Sequence, residues 1–230
     1  MFKTRSLKLE RIDTGDYTED EYDRFLREIK FINRYTGDLR ALRKTLFHDI
    51  ERENLTSFSV LDVGAGSGEM LREIAKFAGP KKRACMLTGI ELNIRSARAI
   101  LADSANFPEI TAVQGDAIVL PFAENAFDYV ICSLFTHHLT DEQIIKVINE
   151  MDRVSRRGIF VTDLHRHPLA YAAYKILCII FRVSPLVRQD GSLSILRAFK
   201  PRELEVLARR AAWTDYRVER RFPFRLVLRK

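Results

Sequence analysis

"VLDVGAGSGEM", residues 60–70, is the stretch on which the fold turns. A short apolar run, "SFSVLDVG", stops at a turn in which Gly64, Gly66 and Gly68 alternate. "GEMLREIAKFAG" then sets Met70, Leu71, Ile74 and Phe77 at helical spacing, with Gly79-Pro80 as a stop. The pattern predicts a buried strand, a bare turn and a helix. In an open α/β sheet, ligands sit outside the carboxyl ends of the strands, where the first strand turns into its helix. Glycine serves there because a side chain would hold the ligand off the backbone, and because such turns often demand positive φ. The position therefore predicts a nucleotide-like ligand.

The alternation continues outward. "RACMLTGIEL", "ITAVQGD", "AFDYVICSLF" and "RGIFVTDL" read as further strands. "NIRSARAILADSA", with Asn93 as N-cap, and "TDEQIIKVINEMDRVS", with Thr140 or Asp141 as cap, read as helices. Strands and helices in this order imply right-handed crossovers and a mainly parallel sheet covered on both faces. After the helix "PRELEVLARRA", "DYRVERRF" and "FRLVLRK" lie so close around Pro223 that they pair only as a hairpin. The expected fold is α/β: a doubly wound, mainly parallel seven-stranded sheet with an antiparallel edge hairpin. Residues 1–56 are expected to form an N-terminal helical cap outside this core, and 57–230 the sheet domain, with a lid insertion at about 165–200.

A P-loop needs Gly-Lys-Ser/Thr, but Gly68 is followed by Glu69 and Met70. The dinucleotide fingerprint G-x-G-x-x-G is one residue longer than G-A-G-S-G, and Asp62 precedes the first glycine by two. A carboxylate there suits loop organisation or a cation better than a pyrophosphate. A ligand with a sulfonium and an α-ammonium fits that chemistry. The stretch resembles the first motif of the class I (Rossmann-like) S-adenosylmethionine-dependent methyltransferases, and residues 57–164 follow that superfamily's order. The resemblance implies S-adenosyl-L-methionine as cofactor and S-adenosyl-L-homocysteine as product. It implies that Glu91, ending "TGIEL", takes both ribose hydroxyls, and that Asp116 in "VQGDA" meets the adenine amino group. Asp62, Gly64, Ala65, Gly66, Gly68, Leu92, Ala117 and Ser133 complete the implied cofactor site.

"LPFAENAFDYVICSLFTHHL" looks most like the ubiquinone/menaquinone-type small-molecule methyltransferases, and less closely like those found beside polyketide synthases. "CSLF" lacks the (D/N/S)PP(Y/F/W) pattern of DNA amino methylation, and Ile131 before Cys132 does not match a cytosine-C5 nucleophile. The resemblance implies methyl transfer to oxygen or carbon of a small, aromatic or polyketide-like acceptor, in secondary metabolism. His137, His138 and His167 follow strand ends; His138 is the first choice as general base and His167 the second. Arg166 or Arg188 would hold an acidic acceptor group. "FINRY" (31–35) and the helix in "HPLAYAAYKILCIIFRVSPLV" would cover the mouth. That helix carries Leu169, Ala172, Ala173, Ile176 and Ile180 as one stripe, with Tyr171, Tyr174, Cys178 and Phe181 nearly completing the circle. Such a helix is buried, covers an apolar ligand or touches a membrane.

The chain has 230 residues, 47% of them hydrophobic and 30% charged, which fits a globular protein rather than a disordered one. A net charge of +7 fits nucleic acid, an anionic membrane or an acidic small molecule, but the basic residues are spread along the chain as on a solvated surface. Nucleic acid is not the expected partner, although RNA methylation stands as the runner-up, and a non-catalytic S-adenosylmethionine-binding protein as a third reading. Cys85, Cys132 and Cys178 lack metal-like spacing and read as reduced core thiols in the cytoplasm. No carboxylate or histidine run has ligand spacing, so no metal is expected. No apolar run is long enough to span a bilayer, which leaves peripheral contact open. No motif speaks to oligomeric state.

Overall fold

The computed structural model describes residues 2–230, apart from the side chains of residues 34 and 35. Seven strands, β1 (Ser57–Val63), β2 (Ala84–Glu91), β3 (Ile110–Gln114), β4 (Phe127–Ser133), β5 (Ser155–Leu164), β6 (Arg217–Arg221) and β7 (Arg225–Arg229), form one sheet in the order β3-β2-β1-β4-β5-β7-β6. β1 pairs in parallel with both β2 and β4. β7 is antiparallel to β5 and to β6, so it alone runs against the rest. The strand order reverses between β1 and β4, which opens a crevice beyond their carboxyl ends.

Four helices precede the sheet: α1 (Arg11–Thr14), α2 (Glu19–Tyr35), α3 (Asp38–Leu42) and, after a π-helical turn, α4 (His48–Arg52). Within and after it come α5 (Glu69–Ala78), α6 (Ile94–Asp103), α7 (Asp141–Val154), α8 (Pro168–Ile180), α9 (Pro185–Arg197) and α10 (Pro201–Arg210). The expected caps form: the Asn93 side chain accepts from the Arg95 N–H, and Thr140 closes a capping box with Gln143. α7 and α10 cover one face of the sheet with Ile144, Ile148, Met151, Leu204 and Leu207. The other face is covered by Leu71 and Ile74 of α5, Ile100 of α6, and by Leu42, Leu46 and Ile50 from the N-terminal segment. This corrects the expectation of a cap standing outside the core. Leu46 and Ile50 are fully buried, because α5 and α6 alone leave β1 and β4 partly uncovered on that side.

The first and last parts of the chain are pinned together. Arg225 Nε and Nη2 donate to the Asp38 carboxylate at 2.6 and 2.8 Å, and Arg229 donates to Asp49 at 3.0 Å. Gly37, at φ 100°, lies so close to Pro223 that an added Cβ would sit 2.6 Å from the proline ring. α8 and α9 pack against each other after β5, and α2 lies along α9. Together they roof the crevice.

Candidate active site

The β1–α5 turn carries three positive φ angles, at Gly64, Gly66 and Gly68 (68°, 57° and 77°). The Gly64 and Ala65 N–H groups donate to the Ile90 carbonyl, which fixes the turn against β2. A Cβ on Gly64 would lie 2.6 Å from the Phe135 ring, whereas one on Gly66 would meet nothing within 4 Å. Gly64 is thus bare for packing, and Gly66 is bare toward open space. The Gly66 N–H donates to Glu91 Oε1 at 2.5 Å, joining the turn to the end of β2. Gly68 is the αL residue that opens α5 and lies under α6.

That open space is a cavity of about 630 Å³. Asp62, Gly64, Ala65, Gly66, Glu91 and Ser133 line it. Tyr17 and Tyr22 stack at 5.1 Å over the same side, and Tyr22 shares a hydrogen bond with Ser96 (3.0 Å). Burial, and secondarily the Glu91 charge, push the Asp62 carboxyl well above its ordinary range; its Oδ1 is buried with no hydrogen-bond partner. Burial lifts Glu91 to about 7, although the Gly66 and Leu92 N–H groups and His138 pull it down.

Four of the implied cofactor residues lie off this lining, Gly68 of the turn itself among them. Leu92 is 69% exposed. Asp116 is exposed and its Oδ1 accepts the Ile118 N–H at 2.9 Å, while Ala117 leans on the core. The Gly115 N–H bonds the Glu91 carbonyl, so the turn bearing Asp116 still starts beside Glu91.

Of the two histidines proposed as bases, the structure brings only His138 into the cavity. Its Nδ1 is 2.7 Å from Asp13 Oδ1, and the pair is about four-fifths buried. Burial alone would raise Asp13, but the hydrogen bond and charge of His138 outweigh it and hold the carboxyl below its ordinary value. Behind it, the buried His137 meets Asp163 Oδ1 through Nδ1 at 2.7 Å. Asp163 also accepts the Thr136 hydroxyl and the His137 N–H. Burial opposes its ionisation, yet His137 and these bonds hold it at about 2. His167 requires a correction. It lies outside the cavity, because its Nδ1 turns back to accept the Leu169 N–H and cap α8. Arg166 and Arg188 are corrected likewise: Arg166 is buried against Ala198 and Glu203, and Arg188 is exposed on α9.

Four groups that the sequence reading did not single out complete the site: Asp13 and Asp163, described above, with Glu10 and Arg197. Glu10 comes from the strap before α1; its Oε2 accepts the Ser194 hydroxyl at 2.9 Å, and its Oε1 is buried with no hydrogen-bond partner. Burial lifts this carboxyl to about 7, against the pull of His138, Ser194 and Arg197. Arg197 donates to the carbonyls of Lys8, His137 and His138, tying strap to turn. Asp163, in "VTDL", was open to discovery by the same strand-end logic that found Glu91. Nothing in the spacing signals that Glu10 or Asp13 reaches His138.

One oxygen of Glu10 and one ring nitrogen each of His137 and His138 lie within 4.8 Å of one another, which is the one candidate metal-ligand set among the described residues. Arg197 Nε, 3.7 Å from Glu10 Oε1, already supplies positive charge there, and each imidazole faces a carboxylate through Nδ1. The set therefore reads better as an acid–base cluster than as a cation site.

The wall formed by α2, α8 and α9 carries an apolar stretch: Phe25, Leu26, Ile29 and Ile32 of α2, and Ala170, Ala173, Tyr174, Leu177 and Ile195 of α8 and α9. Ile32 and Asn33 are the part of "FINRY" that faces it; the side chains at 34 and 35 lie outside the described residues. Among the described residues, the cavity's two Lys and Arg side chains, Lys30 and Arg225, are both paired, with Asp103 (2.9 Å) and Asp38. An acidic acceptor finds no free cation among those described residues.

Residues 60–158 match a family described as "Methyltransferase domain". The chain is 29% identical over 139 residues to a ubiquinone/menaquinone biosynthesis C-methyltransferase of Hahella chejuensis, covering 59% of this chain and 53% of that protein. It is 34% identical over 125 residues to an uncharacterized methyltransferase of Synechocystis, covering 52% and 55%. The chain thus spans about half the length of these curated relatives. Among solved structures, the fold is similar to that of magnesium protoporphyrin IX methyltransferase from Synechocystis, with a TM-score of 0.63 at 16% identity over 96% of this chain and 98% of that one.

Proposed function

We propose, on the premise that residues 60–158 form a methyltransferase domain of the class I, Rossmann-like type, that the chain transfers the methyl group of S-adenosylmethionine to oxygen or carbon of a small, uncharged, hydroxyl-bearing acceptor. One observation carries this reading: the glycine turn with Glu91 and Asp62 shares a single cavity with a His138–Asp13 pair. The residues fit the cofactor. Asp62 has a buried oxygen without a partner, suited to an ammonium, and Gly66 leaves room where a side chain would intrude. Glu91 would take the ribose hydroxyls and Asp116 the adenine end.

When bound, S-adenosylmethionine supplies a methyl carbon already activated by its sulfonium. The protein's share is alignment, exclusion of water and proton removal; proximity of this kind is worth roughly 7–11 kcal/mol at its best. Asp13 holds His138 with Nδ1–H toward its carboxylate, which leaves Nε2 free to take the acceptor's hydroxyl proton. The Asp163–His137 pair fixes the turn that carries His138. The apolar walls favour an aromatic or polyketide-like acceptor, and the same reading places the chain in the cytoplasm. Carboxylates outnumbering cations in the lining weigh against the phosphodiesters of RNA.

The test is calorimetric titration with S-adenosylhomocysteine, on wild type and Glu91→Ala, with NAD alongside. Micromolar binding that Glu91→Ala abolishes supports the cofactor; radiolabelled transfer to alkylphenols then separates an enzyme from a mere binding protein. No binding of S-adenosylhomocysteine by wild type sinks the proposal.

A further inference from the structure

The apolar stripe of α8 faces outward. Leu169, Ile176, Ile179 and Ile180 are 64%, 57%, 75% and 67% exposed, and Phe181, just past the helix, is 52% exposed. Leu169, Ile176 and Ile180 recur at i, i+7 and i+11, so they share one side of a 13-residue helix about 20 Å long. Phe31 of α2 extends the patch, its ring 5.2 Å from that of Phe181. The opposite side of the same helix, through Ala170, Tyr174 and Leu177, lines the cavity. Apolar surface this contiguous marks an interaction site rather than chance exposure.

Charge identifies the occupant. Residues 164–189 contain Arg166, Lys175, Arg182 and Arg188 but no Asp or Glu. Arg166 is buried and paired with Glu203, whereas Lys175, Arg182 and Arg188 form no ion pair among the described residues. Lys175 lies beside Ile179 on the helical wheel, at the edge of the exposed arc, and Arg182 follows in the turn. A second copy meeting this face across a two-fold axis would set these cations against themselves with no carboxylate from residues 164–189 between; Glu28 of α2, which accepts the Ser184 N–H, is already paired with Arg24. An anionic bilayer offers acyl chains to the isoleucines and headgroup charge to the arginines at once.

We propose that α8 is an interfacial helix, lying in the plane of an anionic membrane surface with Leu169, Ile176, Ile179, Ile180 and Phe181 in the headgroup–acyl boundary. No helix among the described residues is long and apolar enough to cross a membrane, so contact is along the surface. The lipid contact does not depend on the methyltransferase reading; what does is its corollary, that an apolar acceptor enters past α8 from the bilayer.

The test is co-sedimentation of the full chain with vesicles of phosphatidylcholine alone or with about 30% phosphatidylglycerol. Wild type is expected to pellet with the anionic vesicles and not with the neutral ones. Each basic residue near the surface is worth about fivefold in partition. Binding should weaken as salt rises from about 0.1 to about 1 M. The variant Ile179→Asp/Ile180→Asp should lose at least about tenfold in partition while circular dichroism and its affinity for S-adenosylhomocysteine, or its melting temperature if that ligand does not bind, stay unchanged. Equal pelleting of this variant and wild type, or no preference for anionic vesicles, overturns the proposal. So does a wild-type dimer in light scattering that the double variant converts to monomer, which would make this face a contact between copies.

Discussion

Gly64 and Gly66 share a positive φ (68° and 57°) and have opposite surroundings, so alanine at each separates packing from ligand binding. Either substitution puts an L-residue in the left-handed region, which costs about 1–2 kcal/mol. For a chain of this size that lowers the melting temperature by about 2–8 °C. Gly66→Ala should suffer only this, because its Cβ meets no protein atom within 4 Å. Gly64→Ala must also displace the Phe135 ring, 2.6 Å from the new Cβ, which adds about 1–3 kcal/mol. Its melting temperature should fall by about 4–20 °C in all. Calorimetric melting with and without S-adenosylhomocysteine is the assay. At a hundredfold excess over Kd the ligand contributes about 2.7 kcal/mol to wild type, a rise of about 5–11 °C. Gly66→Ala should keep the fold and lose most of that rise. A Gly66→Ala protein that gains as much from the ligand as wild type would refute the claim that this backbone is bare for a ligand.

Glu10 moves from an ordinary 4.5 to about 7 on folding, so the folded chain holds a proton that the unfolded chain has released between those values. Its contribution to stability is full below about pH 4.5 and is lost as pH rises through 7, by up to about 3 kcal/mol. Urea unfolding of Glu10→Gln should therefore fall less than wild type between pH 5 and 8; a steeper fall in the variant contradicts the burial argument. His138→Asn should lower kcat by about 10²–10⁴ with the affinity for S-adenosylhomocysteine unchanged, and Asp13→Asn by less, through loss of the tautomer it fixes. If methyl transfer to an alkylphenol is unaffected in His138→Asn, His138 is not the base. Asp38→Asn leaves the buried Arg225 guanidinium without its counter-charge and should cost about 3–5 kcal/mol in chemical denaturation. A loss below about 1 kcal/mol would mean that water already reaches that pair.

The glycine turn, Glu91 and the strand order were legible because each depends on neighbours in sequence: an apolar run, a bare turn and an amphipathic helix form one local unit. His138 was legible by the same rule, as a residue just past a strand end. The rule misled at His167, because position past a strand end does not fix where a side chain points, and the start of α8 claimed the imidazole as a cap. The N-terminal strap was not legible. Its Glu10 and Asp13 meet groups at positions 194 and 138, and no periodicity encodes contacts of that span. α8 was ambiguous for a physical reason: with apolar residues nearly all round, only the packed structure says which arc faces the cavity and which faces out.

The pinning of Asp38 and Asp49 by Arg225 and Arg229 has a consequence for how the protein is made. On the ribosome these carboxylates emerge well before their partners; at about 5–20 residues per second the wait for Arg225 is roughly 10–40 s. The partners of Leu46 and Ile50 on β1 and α5 follow them closely in sequence and emerge early in synthesis. The final seat of this part of the chain, and with it the α2 wall of the cavity, is set only when the last strand adds to the sheet. The cavity is then completed last in the order of assembly, after the glycine turn and its supporting sheet are in place.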